Sequence, residues 1–409
     1  MTGDWRGAAM TAFAVIGSAA VLALALVALA NPEGLDLKEF LTVSGLLMAS
    51  AFGGDVATGF GGTDFDVAVS VGAYPLTLTI AALGVGSFVF WRRVSRLNHG
   101  LVDALAHAAR ASVILGILLA ISSMVTRTSL RLPDELSFIG MPNVQGTLGT
   151  HAVSTGALAA FYLFLTCTAT CLRRGDWLPA RLRNVRDLLV LPVVGLGAVL
   201  AVACVAALVA ATVAVITTEV LRETSAIALL LATLPNLGFS MLFTGGGAAI
   251  QMISRSSDGS FDESSHLTTL AHEVSIWVWL LPLVTALALL AGAAGVVLYS
   301  RSAKEARGGL LRWLAAMTIV SPLLVHFAAV HGHVRGSDFG EEYWANITAG
   351  VSAWQSMLLT ALWAFVAAVL ATGLIPNLFR EAAALSYADP LSWPQPQTSH
   401  GPAQPPPSH

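Results

Sequence analysis

The sequence predicts an all-α, polytopic transmembrane helical bundle, and three observations carry that expectation. Of 409 residues, 56% are hydrophobic and only 11% charged, whereas an ordinary soluble domain carries about 25% charged residues. Eight apolar runs are long enough to cross a ~30 Å hydrocarbon layer, which takes about 20 residues each. The arginines gather on alternate connections between those runs, as the positive-inside rule requires. A mean hydropathy of +0.74 makes lipid the outer solvent. The net charge of -3 supplies no basic field for a nucleic-acid partner.

In chain order the runs are 8–30, 72–91, 108–126, 149–171, 188–216, 275–299, 310–330 and 350–375. The first resembles a signal peptide in ending at Ala28-Leu29-Ala30. Its apolar stretch is longer than the usual 7 to 15 residues, so it reads as a retained helix. With the N-terminus inside, the cytoplasmic segments hold Arg6, then Arg92, Arg93, Arg96 and Arg110, then Arg173, Arg174, Arg181, Arg183 and Arg186. Arg301, Lys304, Arg307, Arg312 and Arg380 follow. The opposite side receives Lys38, Arg127, Arg131, Arg222, Arg255 and Arg335. The expectation is therefore a multi-pass plasma-membrane protein with both termini cytoplasmic. The last residues, with Pro390, Pro394, Pro396, Pro402 and Pro405 to Pro407, cannot build a packed core and read as a disordered tail.

Internal similarity divides the spans into two sets of four. Tyr74-Pro75-Leu76-Thr77 opens a span that ends in Arg92-Arg93, and Leu281-Pro282-Leu283-Val284 opens one that ends before Arg301. Val153-Ser154 is echoed by Val351-Ser352. The expected division is a first repeat over 1–186, a second over 187–381 and a tail over 382–409. An even number of spans per half makes the repeats parallel.

Between the first and second span of each half lies an apolar but interrupted segment. Phe40 to Phe52 is closed by Gly53-Gly54-Asp55 and then Gly59, Gly61 and Gly62. Ala226 to Phe243 is broken at Pro235-Asn236 and closed by Gly245-Gly246-Gly247. The first is too short to span, and counting the second as one more crossing would reverse every later loop. Both read as short re-entrant or interfacial helices. Non-helical backbone at membrane depth is tolerated only against protein or a water-filled cavity. These segments are either lids over the outer end of the bundle or the walls of a substrate site reaching Gly53, Asp55, Asn236 and Gly245.

Chemistry-bearing groups are sparse. Proton-coupled carriers place Asp, Glu or His chains inside their spans, and these spans are nearly free of them. His107 with Arg110, His326, and the Glu219, Arg222 and Glu223 set all read most simply as structural or interfacial. Cys167, Cys171 and Cys204 lie in apolar runs and read as packing residues rather than disulfide partners. The outer side collects His151, His266, His272, Glu273, His331, His333, Asp338, Glu341 and Glu342. His331-Gly332-His333, with a third ligand from His272 or Glu273, is a weak metal candidate, since HxH alone has little specificity. No Walker loop, GxSxG elbow or dinucleotide fingerprint is present, so neither an enzyme nor a cofactor is expected.

The stretch Val71-Gly72-Ala73-Tyr74-Pro75-Leu76-Thr77-Leu78-Thr79, the following span ending in Arg92-Arg93 and the doubled four-span layout resemble the actinobacterial streptophobe family. A more distant similarity is to large actinobacterial membrane proteins described as cell-division permease homologues. The resemblance implies a lineage and a topology and no catalytic residues. The second half keeps the motif only as Leu-Pro-Leu-Val.

Two functions fit these features. One is an envelope accessory or scaffold protein that partners the lipid bilayer and other membrane proteins. The other is a permease-like transporter that binds an apolar or lipid-like solute between the repeats. The first expects a packed seam between the halves, the second a cavity there.

Overall fold

The computed structural model describes residues 4–30, 34–61, 65–96, 100–131, 145–172, 178–218, 223–257, 259–273, 276–338 and 341–387. Among the described residues, seven helical segments are long and apolar enough to cross a membrane. They are α1 (Trp5–Ala30), α4 (Leu101–Val125), α5 (Ala152–Cys171), α6 (Ala180–Thr217), Val278–Tyr299, which joins a 3-10 turn to α10 (Leu281–Tyr299), α11 (Ala303–Ala328), and Ala353–Gly373 within α12 (Ala353–Tyr387). The chain is an integral membrane protein by this criterion. α3 (Leu76–Arg96) has 21 residues, but Thr77, Thr79, Ser87 and three arginines keep it out of that set.

The interrupted segments take two shapes. α2 (Leu37–Ala51) has 15 residues, about 22 Å at 1.5 Å per residue, and is too short to cross. Asp36 caps it by accepting the Glu39 N–H at 2.7 Å. It ends where Gly53, at φ +86°, donates its N–H to Ser50 O and Gly54 donates to Ala49 O, a left-handed C-terminal cap. The second segment is a pair, α7 (Thr224–Ala232) and α8 (Leu234–Gly245), bent by 70° at the break. Pro235 has no N–H and its ring excludes the carbonyl four residues back, so α7 cannot run on. α8 closes with the same cap as α2, on Gly247 at φ +102°.

The helices form two bundles. In the first, α1 packs on α3 and α4, and α5 packs on α4 and α3. In the second, α6 packs on α10 and α11, and α12 packs on α11 and α10. Each has its own apolar core, around Leu115, Leu119 and Leu163 in one and Val199, Leu289 and Trp313 in the other. Within a helix the buried positions recur every three or four residues and are small, as Ala8, Ala12, Ala19 and Ala23 in α1 and Gly195, Ala203 and Ala207 in α6. The other faces carry exposed Phe13, Val21, Val193, Val205 and Val209. Small residues inward and branched ones outward is the pattern of helices that associate by close packing within lipid. α4 and α5 approach closely through glycine: a Cβ on Gly156 would lie 2.6 Å from the Gly116 carbonyl oxygen.

The expectation of an all-α fold is corrected by an eight-stranded antiparallel sheet. Its strands are β1 (Val56–Gly61), β2 (Phe65–Gly72), β3 (Thr128–Arg131), β4 (Gln145–Thr150), β5 (Ile250–Ser256), β6 (Gly259–Ser265), β7 (Val330–Asp338) and β8 (Glu341–Val351). The order is β3-β4-β1-β2-β7-β8-β5-β6. Of the glycines that close the two interrupted segments, Gly59 and Gly61 are residues of β1. Val67, Val69 and Val71 alternate with Asp66, Ala68 and Ser70, a period of two that belongs to a strand. The span expected from residue 72 accordingly starts at Leu76, after β2 and Pro75.

Because all four hairpins share one sheet, they lie at one end of the bundles. The arginine-rich ends of α3, α6 and α11 lie at the other. There, Arg93 Nε meets the Asp4 carboxylate at 3.0 Å, joining the N-terminus of α1 to the end of α3. The division expected at 186/187 falls inside α6. α12 continues to Tyr387, into the first residues of the expected tail. The rest of that tail, Arg173, Arg174, Glu219, Arg222 and Gly62 lie outside the described residues.

Candidate binding site

The two bundles meet at α7, which packs on α1 and α3, at α8 against α3, and along the β2–β7 ladder from Phe65↔Asp338 to Gly72↔His331. One buried side chain organises this seam. The Asn236 amide nitrogen donates to Tyr74 O at 2.8 Å and to Phe327 O at 3.1 Å, and its oxygen accepts the Leu76 N–H at 3.3 Å. Leu76 begins α3 and Phe327 lies in the last turn of α11, so the donor and the acceptor are groups that a helix end leaves without an intrahelical partner. Asn236 caps both helices from a third element. Beside it, Thr77 Oγ1 donates to Leu231 O at 2.7 Å. The Tyr74 and Tyr162 rings meet Phe327 edge-on, with centroids 5.8 and 6.4 Å away.

The other candidate residues fall around this point or away from it. Gly53 is buried, and a Cβ there would stand 2.6 Å from Leu158 and 3.6 Å from Tyr74. Asp55 is half-buried and lies against Gly72. Gly245 belongs to the second bundle, where a Cβ would press on the Leu281 carbonyl oxygen. Gly53 and Asn236 thus converge on Tyr74 while Gly245 stands apart, and none of the four residues lines the three large cavities described below.

Of the histidines, His331 and His333 share one face of β7. The His331 ring lies tilted against the His326 ring, with centroids 4.8 Å apart. His333 Nδ1 lies 2.7 Å from Asn346 Oδ1, and because that oxygen only accepts, His333 donates. His272 is an exposed residue of α9 (Leu267–Glu273). Among the described residues no three His, Cys, Asp or Glu side chains come together as a metal set.

The open site is the sheet itself. Following the register, one face carries Ile347, Val334, Val69, Val71 and Leu148, and the other carries His331, His333, Arg335, Asn346, Ser70 and Thr147. Three large cavities lie on the second, polar face. One of about 700 Å³ is bordered by Arg127, His151, His333, Arg335 and Asn346 over a floor that includes Gly59, Ala68 and Ser70. A second of about 730 Å³ shares Ala68, Arg335 and Asn346 with it and reaches Glu342 and Trp344. The third, about 360 Å³, lies nearer the helices, between His331, Thr348, Val325 and Trp354. The Arg127 stem crosses Gly149, where a Cβ would stand 2.6 Å from Arg127 Cγ. Sequence reading placed His151 and His333 on the outer side and missed the groove, since only strand register brings them beside Arg127 and Arg335.

In comparisons with known proteins no family model matches the chain, and no curated protein or solved structure is similar to it.

Proposed function

We propose that this chain is a non-enzymatic envelope accessory or scaffold protein of the plasma membrane, built from two parallel four-span repeats with both termini cytoplasmic and the sheet outside. The observation that carries the reading is Asn236: its amide is engaged by backbone from both bundles, so the seam where a carrier would hold solute is filled. α3 is the eighth span and α7–α8 is re-entrant in this reading. The streptophobe lineage is part of the same proposal.

Two correspondences support the duplication. Helix contacts pair as α1, α3, α4, α5 with α6, α10, α11, α12. In the sheet, Val56 pairs with Thr150 and Val71, and Ile250 pairs with Val351 and Ser265, with Thr150 and Val351 each two residues before a helix. The arginine-rich ends opposite the sheet support the orientation.

Cysteine substitution at Gly53, Asp55, Asn236 and Gly245 tests the function in native membranes. The scaffold reading expects positions 53, 236 and 245 to resist a membrane-impermeant thiol reagent from the outer phase. Labelling at all four would overturn it in favour of a permease-like transporter for an apolar or lipid-like solute. Reporters fused after Arg183 and Arg307 should both report the cytoplasm, and opposite sides would refute the parallel plan.

A further inference from the structure

We infer that the polar face of the sheet is a binding site for a phosphate ester carried on a hydroxyl-rich chain. The cavity of about 700 Å³ is bordered by two arginines, Arg127 and Arg335, and two histidines, His151 and His333, and among the described residues no carboxylate lines it. Among the described residues no carboxylate pairs with Arg127 or Arg335. Two cations facing one cavity repel each other, and an anion between them removes that repulsion while offering oxygens to guanidinium donors. A phosphate suits several donors at once, because it presents three acceptor oxygens once esterified.

Neighbouring groups define the rest of the ligand. The bond from His333 Nδ1 to Asn346 Oδ1 fixes the Asn346 amide so that its nitrogen, a double donor, is available to a ligand. Ser70 and Thr147 add hydroxyls on the same face. The small floor residues Gly59, Ala68 and Ser70 leave depth for a sugar- or glycerol-sized group. The second cavity continues from the first through Ala68, Arg335 and Asn346, so the trough takes a chain rather than a lone ion. Among the described residues its acidic lining residue is Glu342, which does not border the first cavity.

The site is independent of whether the seam opens, so its test is separate from that of the scaffold reading. Purified full-length protein in detergent is titrated calorimetrically with glycerol 1-phosphate, with glycerol as the neutral control. In parallel, protein in nanodiscs containing phosphatidylglycerol, or phosphatidylcholine alone, is examined by native mass spectrometry for retained lipid. Saturable binding of glycerol 1-phosphate that weakens at least tenfold in R127Q/R335Q and falls with added salt supports a soluble phosphate ester. Retention of phosphatidylglycerol alone, lost in the same variant, supports the same site serving a lipid headgroup. N346A, which removes the donor and leaves both charges, should weaken binding several-fold and reports on the site if the double variant melts early. Absence of both kinds of binding overturns the assignment, as does equal affinity for glycerol or unchanged binding in R127Q/R335Q and N346A at wild-type melting temperature.

Discussion

Asn236 is the residue at which a single substitution should do most damage for its size. Its side chain makes three hydrogen bonds to backbone groups of two other segments. At about 1 kcal/mol net per bond their loss costs about 3 kcal/mol, and the stranded Phe327 and Tyr74 carbonyls add about 1 to 3 kcal/mol more. N236A should therefore lower unfolding free energy by about 4 to 6 kcal/mol, at the upper end of single-residue effects. N236D separates this account from a packing effect. It keeps the volume but replaces the donor nitrogen by an acceptor, placing oxygen against two carbonyl oxygens, so it should destabilise more than N236A. N236L, which preserves bulk alone, should fall near N236A. Unfolding in mixed micelles with increasing dodecyl sulfate, followed by circular dichroism, reads all three. If N236A stays within about 1 kcal/mol of wild type, or N236D matches wild type, Asn236 does not cap α3 and α11 as argued.

Three further outcomes follow from the packing. G156A should cost about 1 to 3 kcal/mol, since α4 and α5 must move apart when a methyl meets the Gly116 carbonyl; G197A, with nothing within 4 Å, should be neutral or slightly stabilising in the same melts. G53A and G247A both force alanine to a positive φ, about 1 to 2 kcal/mol, and G53A should be the worse because its methyl also strikes Leu158. The Asp4 carboxyl is held below the ordinary carboxylate range by the Gly7 backbone N–H, with partial burial opposing and Arg93 assisting. A depressed folded value contributes stability above the unfolded pKa and loses it as pH falls through the folded one. D4N should thus destabilise by under about 1 kcal/mol at neutral pH, this pair being partly exposed, and the difference from wild type should vanish only well below about pH 4. Melting temperature against pH for the two proteins checks the sign.

The helices were legible because lipid imposes a length and a composition, and the eight apolar runs coincide with α1, α3, α4, α5, α6, α10, α11 and α12. Pro235 announced the break between α7 and α8 through a property of one residue. The sheet was hidden for the opposite reason. Its strands are short, and their glycines, such as Gly59 and Gly72, read as loop punctuation until a partner strand is known. Their pairing is also remote: β2 finds β7 more than 250 residues away, and no local pattern specifies that choice. The same holds for the sites. Asn236 was singled out for lying at a helix break, but that its amide reaches Tyr74 and Phe327 depends on tertiary contacts. The polar face needed register, because Arg335 and His333 reach one side of β7 only by their spacing of two.

The mechanical consequence of this arrangement bears on the choice between scaffold and carrier. Alternating access in a two-bundle protein requires the bundles to rock, opening the seam first at one end and then at the other. Here the end near the sheet is held by the eight-pair β2–β7 ladder, by the two-sided Asn236 cap and by Thr77 on Leu231. At about 1 kcal/mol net for each of several ladder and cap bonds, opening that end costs more than the few kcal/mol separating the states of a two-state switch. The opposite end carries the Asp4–Arg93 pair within one bundle and the Arg312 bonds to Asp187 and Leu188 carbonyls within the other, which stiffen each bundle without joining them. The contacts at the sheet end therefore leave a hinge about the sheet as the motion that breaks fewest of them. Such a hinge would vary the spacing of the arginine-rich ends while keeping the polar groove intact, in keeping with the proposed scaffold and against the proposed carrier.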